Sequence, residues 1–169
     1  VKPTRPAFAD NGGALVYNIT GDGDYEFRID DGPWLTPGAD GTVQFNNLTP
    51  GQHYIYGRDK GGCGTTVIPF SLIDYPDFFT PNDDGYNDSW NISGLENQPN
   101  AKIYIFDRYG KLLKQIRPDG PGWDGVYNGK ELPSNDYWFR VEYQETTLSS
   151  DGTFTQFPAT FKGHFTLKR

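Results

Sequence analysis

Residues that favour turns recur along the whole of this sequence, and their density constrains the fold more than any other feature. The chain contains 21 glycines and 13 prolines among its 169 residues. Between them lie short segments in which apolar and polar residues alternate, the pattern of half-buried β-strands. Long helices are incompatible with so many closely spaced turn formers. The sequence therefore predicts an all-β protein built from many short strands.

The first 74 residues predict a small antiparallel β-sandwich of the immunoglobulin-like type. Alternating segments are separated by turn sequences such as Thr49-Pro50-Gly51, in which proline and glycine each supply a backbone conformation that the turn needs. We expect Trp34 to lie in the core of this domain and His53 to point outward from its strand. The expected strands are 14–20, 25–30, 42–48, 52–59 and 65–73.

Residues 75–169 predict a second antiparallel β-sandwich, so that two such domains lie in tandem. Gly110 is expected at a positive φ in a hairpin turn that follows Asp107. The pair Asn128-Gly129 is typical of a two-residue hairpin turn. We expect Trp123 to be buried and His164 to point outward. The expected strands are 88–93, 101–107, 111–117, 137–144 and 160–168.

Composition excludes several classes of function. The net charge is −7 and the isoelectric point is about 4.7, and an acidic chain repels phosphate backbones, so we predict no nucleic-acid partner. No apolar run reaches the roughly 18 residues that span a membrane, so we predict no membrane insertion. The sequence begins Val1-Lys2-Pro3 without the apolar stretch of a signal peptide. If the protein is exported, we expect this chain to be the C-terminal part of a longer precursor.

Motifs that carry enzymatic chemistry are missing from the sequence. The single cysteine, Cys63, allows no intrachain disulfide, and both a small residue in a turn and a reactive thiol remain open for it. The two histidines, His53 and His164, lie on separate predicted domains. No nucleophile elbow, phosphate-binding loop or zinc-spaced cluster occurs. We therefore predict that the protein is not an enzyme and assign no catalytic residue.

The densest polar segment, from Thr80 to Asp88, offers a candidate calcium site. Calcium prefers six to eight oxygen ligands around a tight glycine turn. When Gly85 is aligned with the glycine of a calcium loop, Thr80 stands at the first position and Asn91 at the twelfth. Thr80 is a poor calcium ligand, and Asn91 is not the bidentate glutamate expected there. The match to a calcium loop is therefore partial. The alternative is a turn that Asn and Asp side chains fold onto their own backbone. The candidate ligands are Asn82, Asp84, Tyr86, Asn87 and Asp88.

Basic residues cluster in the second predicted domain although the chain is acidic. Arg108, Lys111, Lys114 and Arg117 lie close together, and further cations follow on the last predicted strand. Two interpretations stay open. These residues form solvated strand faces and edges, where lysine also blocks pairing with other chains, or they present a basic surface to an acidic partner.

Ordered motifs in the second half give a resemblance to a known family. The segments YPDFFTPNDDGYNDSW, IFDRYGK, GWDGVYNG, LPSNDYWF and FKGHFTLKR stand at 75–90, 105–111, 122–129, 132–139 and 161–169. Residues 75–169 resemble the gliding-motility-associated C-terminal domain, the type B sorting domain of the Bacteroidetes type IX secretion system. The segments GDGDYEF, LTPGQHY and RDKGGCG, at 21–27, 48–54 and 58–64, make residues 1–74 similar to the adhesin-type repeats that precede such domains.

This resemblance implies a C-terminal sorting signal of a large, adhesin-like surface protein. Such proteins pass through the periplasm of Gram-negative Bacteroidetes and reach the cell surface or medium through the type IX outer-membrane translocon. Its partner barrel or shuttle proteins are the implied partners. An alternative function is a carbohydrate- or protein-binding adhesion module, in which Trp34, Tyr54 and Tyr56 face a ligand.

Our hypothesis for signal recognition joins the last predicted strand with the basic hairpin. A folded sandwich is read by its shape and by exposed edges or loops. We therefore expect deletion of 161–169 to trap the precursor in the periplasm. The candidate recognition residues are Arg108, Lys111, Lys162, His164, Lys168 and Arg169.

Overall fold

The computed structural model describes residues 1–5, 7–9, 12–62, 64–148 and 154–169. The described backbone consists of strands, turns, bends and irregular segments, without a helix, so the all-β prediction is confirmed. No helix in these ranges is long and apolar enough to cross a membrane. The chain divides into two compact units, Val1–Asp74 and Tyr75–Arg169. Cys63 lies outside the described residues.

The first unit contains two three-stranded sheets. One has the order β1–β2–β4 and the other β3–β5–β6, and all their pairings are antiparallel. The strands are β1 Lys2–Pro3, β2 Ala14–Val16, β3 Tyr25–Ile29, β4 Val43–Phe45, β5 Gly51–Asp59 and β6 Thr65–Leu72.

Alternation along these strands builds a single core between the two sheets. In β4, Val43 and Phe45 are buried while Gln44 between them is exposed. Side chains from the other sheet, led by the fully buried Ile55, close the core from the opposite side. The first unit is therefore a small sandwich whose strands follow the period-two pattern of the sequence.

Two expectations for the first unit are wrong. His53 is buried, with 7% of its surface exposed, because Asp30 and the Thr49 carbonyl satisfy its two ring nitrogens. Trp34 is only half-buried, and the guanidinium groups of Arg28 and Arg58 lie 5.2 and 4.0 Å from its ring centroid. The period-two pattern could not find these contacts because they join separate strands and loops.

The second unit is dominated by one five-stranded sheet. Its order is β7–β13–β12–β8–β9, and a separate hairpin pairs β10 with β11. All pairings are antiparallel except that of β7 with β13, which is parallel. The strands are β7 Phe78–Phe79, β8 Lys102–Phe106, β9 Leu112–Ile116, β10 Val126–Tyr127, β11 Lys130–Glu131, β12 Asn135–Leu148 and β13 Phe154–Leu167.

Aromatic side chains fill the inner face of this sheet. Trp90 and Trp123, with 0% and 1% of their surfaces exposed, exchange two backbone hydrogen bonds of 2.9 Å. The Trp90 ring stacks on Phe165 with a centroid distance of 3.9 Å. Each of these large rings removes a large apolar area from water, so they contribute strongly to the stability of this thin domain. The prediction that Trp123 is buried is confirmed.

The irregular segments that cover the inner face differ from the prediction. Residues 88–93 do not form a strand, because Trp90 makes only an isolated bridge to Trp123. The Asn91 side chain instead donates hydrogen bonds to the carbonyls of Arg117, Pro118 and Gly120. The parallel strand β7 was not predicted, since two residues are too few to show a period.

Candidate recognition surface

The solvent face of the five-stranded sheet carries alternate residues of β12. Tyr137, Phe139 and Val141 point inward and are buried, whereas Trp138 and Arg140 lie on the opposite face. This alternation follows from the pleat of the strand. Trp138 remains 42% exposed, so part of a large aromatic surface faces the solvent here.

The strand register sets the neighbours of these two residues. Trp138 lies opposite Phe106 on one side and His164 on the other. The rings of Trp138 and His164 have centroids 6.4 Å apart. In the next row, Arg140 lies opposite Tyr104 and Lys162. The outer face thus carries an aromatic row beside a row that contains two cations.

A groove with a volume of about 620 Å³ opens on this face. It reaches from the turn between β8 and β9, through β12, to β13. Three of the residues that the sequence analysis proposed for recognition, Arg108, Lys162 and His164, lie together in its lining. We call this feature the outer groove and define it by Phe106, Arg108, Trp138, Arg140, Lys162 and His164.

Three other proposed residues lie outside the lining of the outer groove. The Lys111 ammonium is 4.7 Å from the Tyr127 ring centroid, and the Lys168 ammonium is 3.9 Å from that of Phe78. Both contacts have cation–π geometry. These two lysines therefore pack on aromatic side chains of their own unit.

Arg169 connects several loops at one end of the sheet. Its Nε donates to the Leu132 carbonyl at 3.0 Å, and its Nη1 lies 3.2 Å from a Glu131 carboxylate oxygen. Its Nη2 lies within 3.5 Å of the carbonyls of Asp124 and Gly125. A guanidinium group suits this role because its donors are fixed in a planar fork. Arg169 therefore has a structural role in addition to any role in recognition.

Sequence reasoning missed Phe106, Trp138 and Arg140 as members of the outer groove. In the sequence, Tyr137, Phe139 and Val141 alternate with Trp138 and Arg140, which places the two sets on opposite faces of a strand. Their position beside Lys162 depends on the register between β12 and β13, which local sequence does not reveal.

The loop proposed for calcium is held by its own backbone. The Asp88 carboxylate accepts hydrogen bonds from the N–H groups of Asn82, Asp83 and Gly85 at 2.8–3.0 Å. Asp84 accepts from the Tyr86 N–H group and from the Asn82 side chain. Oxygens that face N–H donors are not directed at a common cation, and this arrangement favours the Asx-turn alternative.

Electrostatics agree with this description of the Asp88 loop. Partial burial would raise the pKa of the Asp88 carboxyl, but the surrounding backbone N–H groups outweigh that effect and lower it. No group of three acidic, histidine or cysteine side chains in the described ranges is placed to hold a metal ion. Calcium binding here stays a prediction.

The aromatic side chains considered for a ligand-binding first unit are partly covered. Arg28 lies over Tyr56 at 4.7 Å as well as over Trp34, and Arg58 also pairs with Glu26. Tyr54 is 42% exposed. Because guanidinium groups lie over the Trp34 and Tyr56 rings, Tyr54 is the most accessible of the three for stacking on a ligand.

Comparison with known proteins identifies the second unit. Residues 73–156 match the family model described as CHU_C type IX secretion signal domain. No curated protein matches the sequence. A solved structure described as "Biofilm associated protein - BSP domain" shares 16% identity with a TM-score of 0.31, over 98% of this chain and 29% of that one. A similarity of this size carries no argument about function.

The family match confirms the resemblance that the ordered motifs gave. A secretion signal domain is a non-catalytic kind of domain, and a type IX signal implies export to the cell surface or medium and contact with the secretion machinery. The matched segment covers most of Tyr75–Arg169. The second unit of this chain therefore belongs to the CHU_C type IX secretion signal domain family.

Proposed function

We propose that the second unit is the C-terminal sorting signal of a larger, adhesin-like surface protein. The signal directs that protein from the periplasm through the type IX translocon to the cell surface or medium. The observation that carries this proposal is the family match over residues 73–156. The outer-membrane translocon and its partner barrel or shuttle proteins are the proposed partners.

The outer groove is the proposed recognition surface within this signal. Arg108, Lys162 and His164 come from two separate segments of sequence and meet only in the folded sheet. Recognition would then require a folded domain. Lys111, Lys168 and Arg169 contribute mainly by holding the surrounding loops and strands, as their contacts indicate.

The first unit is proposed to be an adhesin-type repeat that precedes the signal. Its two-sheet sandwich is compatible with a spacer between the signal and the rest of the protein. Export would then depend on the second unit alone.

Reporter fusions test the sorting function. A periplasmic reporter fused to Val1–Arg169 should reach the cell surface or medium of a host that has the type IX system. The matched fusion to Val1–Asp74 should stay in the periplasm, because it lacks the signal. Retention of both reporters, or release of both, would contradict the proposal.

A further inference from the structure

Two cations lie directly opposite each other on the floor of the outer groove. The register of β12 and β13 pairs Arg140 with Lys162 on the solvent face of the sheet. Side chains in directly opposed positions have Cβ atoms about 4.5–5.5 Å apart, and like charges there destabilise a sheet. In the neighbouring row, Glu142 lies opposite Lys102, which is a favourable pair. Of these two pairs, only the one in the groove brings like charges into opposed positions.

The charges in the groove are incompletely compensated. Arg140 has an ion pair with Glu142 on its own strand at 3.2 Å, and its guanidinium group lies 4.7 Å from the centroid of the Tyr104 ring on β8. Arg108 lies over the ring of the neighbouring Tyr109 at 5.5 Å, but neither Arg108 nor Lys162 has an ion-pair partner in the described part of the chain. The lining also contains one carboxylate, Asp107, whose Oδ1 accepts the N–H groups of Tyr109 and Lys111 and which keeps its negative charge, so three cations, Arg108, Arg140 and Lys162, face one anion in the lining. A positive site thus persists in a chain whose net charge is −7.

Aromatic surface adjoins these cations. Trp138 is 42% exposed, and Phe106 and His164 flank it on the neighbouring strands. Exposed aromatic residues beside arginine are typical of protein–protein binding sites, where they provide apolar contact area and charge recognition together.

We propose that the outer groove binds an acidic polypeptide segment of the secretion machinery, whose carboxylates contact Arg108 and Lys162 and whose apolar groups pack on Trp138. This inference rests on the proposed function, because a sorting signal is recognised by protein components. Charge complementarity favours this occupant, because Arg108 and Lys162 have no ion-pair partner among the described residues and carboxylates would supply one.

The binding test uses the full chain and a fluorescein-labelled poly-glutamate peptide as the probe. Fluorescence anisotropy should show binding that weakens as salt rises to about 0.15 M, because salt screens exposed charges. Lys162→Glu and Arg108→Gln should each weaken binding by about tenfold or more. Lys114→Glu and Lys114→Gln, which make the same charge changes on an exposed lysine outside the groove lining, should leave binding close to that of the unchanged chain.

Thermal unfolding of each variant shows whether it still folds. Lys162→Glu replaces a like-charge pair with an opposite-charge pair, so its unfolding midpoint should rise or stay unchanged while binding is lost. Loss of binding in a domain that is no less stable cannot be explained by a purely structural role.

Several outcomes would overturn the inference. Equal binding of poly-glutamate and poly-glutamine peptides would show that carboxylates are not recognised. Equal effects of the Lys162 and Lys114 variants would show that the groove is not the site. Binding of heparin through Lys162 without binding of the peptide would assign the groove to an anionic polysaccharide.

Export assays separate this inference from the proposed function. If the Val1–Arg169 reporter is exported and its Lys162→Glu variant is exported equally well, the groove inference fails while the sorting function stands. If the unchanged reporter is not exported, the sorting function itself fails.

Discussion

The buried imidazole of His53 shows how a single residue organises the first unit. Its Nδ1 lies 2.6 Å from the Asp30 carboxylate, and its Nε2 lies 2.7 Å from the Thr49 carbonyl. Both ring nitrogens therefore lie within hydrogen-bond distance of an acceptor oxygen. The Tyr54 N–H group donates to the other Asp30 oxygen. Asp30 therefore joins the end of β3 to β5.

The Asp30 carboxyl gives the first unit a pH-dependent stability. Partial burial would raise its pKa, but the hydrogen bonds from His53 and Tyr54 and the charge of His53 lower it below the usual value of 3.8. Because the folded pKa is the lower one, the contribution to stability is present above pH 3.8 and is lost as pH falls through the folded pKa. Asp30→Asn should remove this dependence.

Urea unfolding between about pH 6 and pH 2 measures the effect of Asp30. Hydrogen exchange of peptides from the first unit separates its unfolding from that of the second. Asp40→Asn is the comparison: hydrogen bonds from the Thr42 side chain and N–H group lower the pKa of Asp40 as well, but they lie within one exposed turn and join no strands, so the acid dependence that this variant removes should be smaller. An unchanged acid profile in Asp30→Asn would contradict the assigned role.

Arg169 should contribute measurably to the stability of the second unit. Arg169→Ala removes the donors to the carbonyls of Leu132, Asp124 and Gly125, and we expect the free energy of unfolding to fall by about 1–2 kcal/mol. Arg169→Lys should recover less than half of this loss, because an ammonium group cannot span these acceptors. Urea unfolding followed by tryptophan fluorescence measures both variants. If Arg169→Lys recovered the full free energy of unfolding, the positive charge alone would explain the contribution of Arg169, and the geometry of the guanidinium group would not be needed.

At the scale of elements, β12 and β13 form a ribbon that extends beyond the rest of the sheet. They pair along 14 residues each, yet β8 contacts only the part of β12 from Trp138 to Glu142. Gln98 covers the next position of β12, since its amide group exchanges two hydrogen bonds with the Gln144 backbone. A side chain thus takes the place of a missing neighbouring strand.

Gln98 should protect the Gln144 amide from solvent. Gln98→Ala should speed hydrogen exchange at the Gln144 N–H group and lower the free energy of unfolding by about 1 kcal/mol. Gln98→Glu keeps an acceptor for that N–H group and loses the donor, so the amide should stay largely protected. Exchange measured by NMR distinguishes the two variants. Equal exchange rates in both would contradict the bidentate contact.

The loop around Asp88 is expected to be stable without an ion. Asp88→Asn should lower the thermal midpoint of the second unit, because the carboxylate accepts three backbone N–H groups. If hydrogen bonds alone hold the loop, addition of calcium or of a chelator leaves the midpoint of the unchanged chain the same. A calcium-dependent rise, lost in Asp88→Asn, would instead support the calcium prediction.

The motifs that gave the family resemblance are mostly structural elements. Gly122 has a φ of +86°, and a Cβ atom there would lie 2.7 Å from the Trp90 carbonyl oxygen. Asn128 and Gly129 both have positive φ values in the turn between β10 and β11, as predicted. These residues could be interpreted from sequence because their backbone conformations restrict the residue type. These motifs identify the fold of the second unit. They do not identify the outer groove, which lies on the solvent face of the sheet.

At the scale of the whole molecule, β13 is an interior strand of the second unit. It pairs with β12 along its full length and with β7 at its end. Deletion of 161–169 should therefore unfold the second unit, with loss of the near-ultraviolet circular dichroism of Trp90 and Trp123. Failed export of that truncated chain would not by itself locate the signal. A native-like spectrum after deletion would contradict the assigned position of β13.

The sequence by itself determined the all-β class, the turns at Gly110 and Asn128-Gly129, and the family of the second unit. These features depend on local periodicity and on residues whose backbone conformations are restricted. Only the tertiary structure decided that His53 is buried, that Arg169 joins several loops, and that Arg140 lies opposite Lys162. Each of these contacts joins residues far apart in the chain, and strand register and loop packing, which fix such contacts, leave no local signal in the sequence.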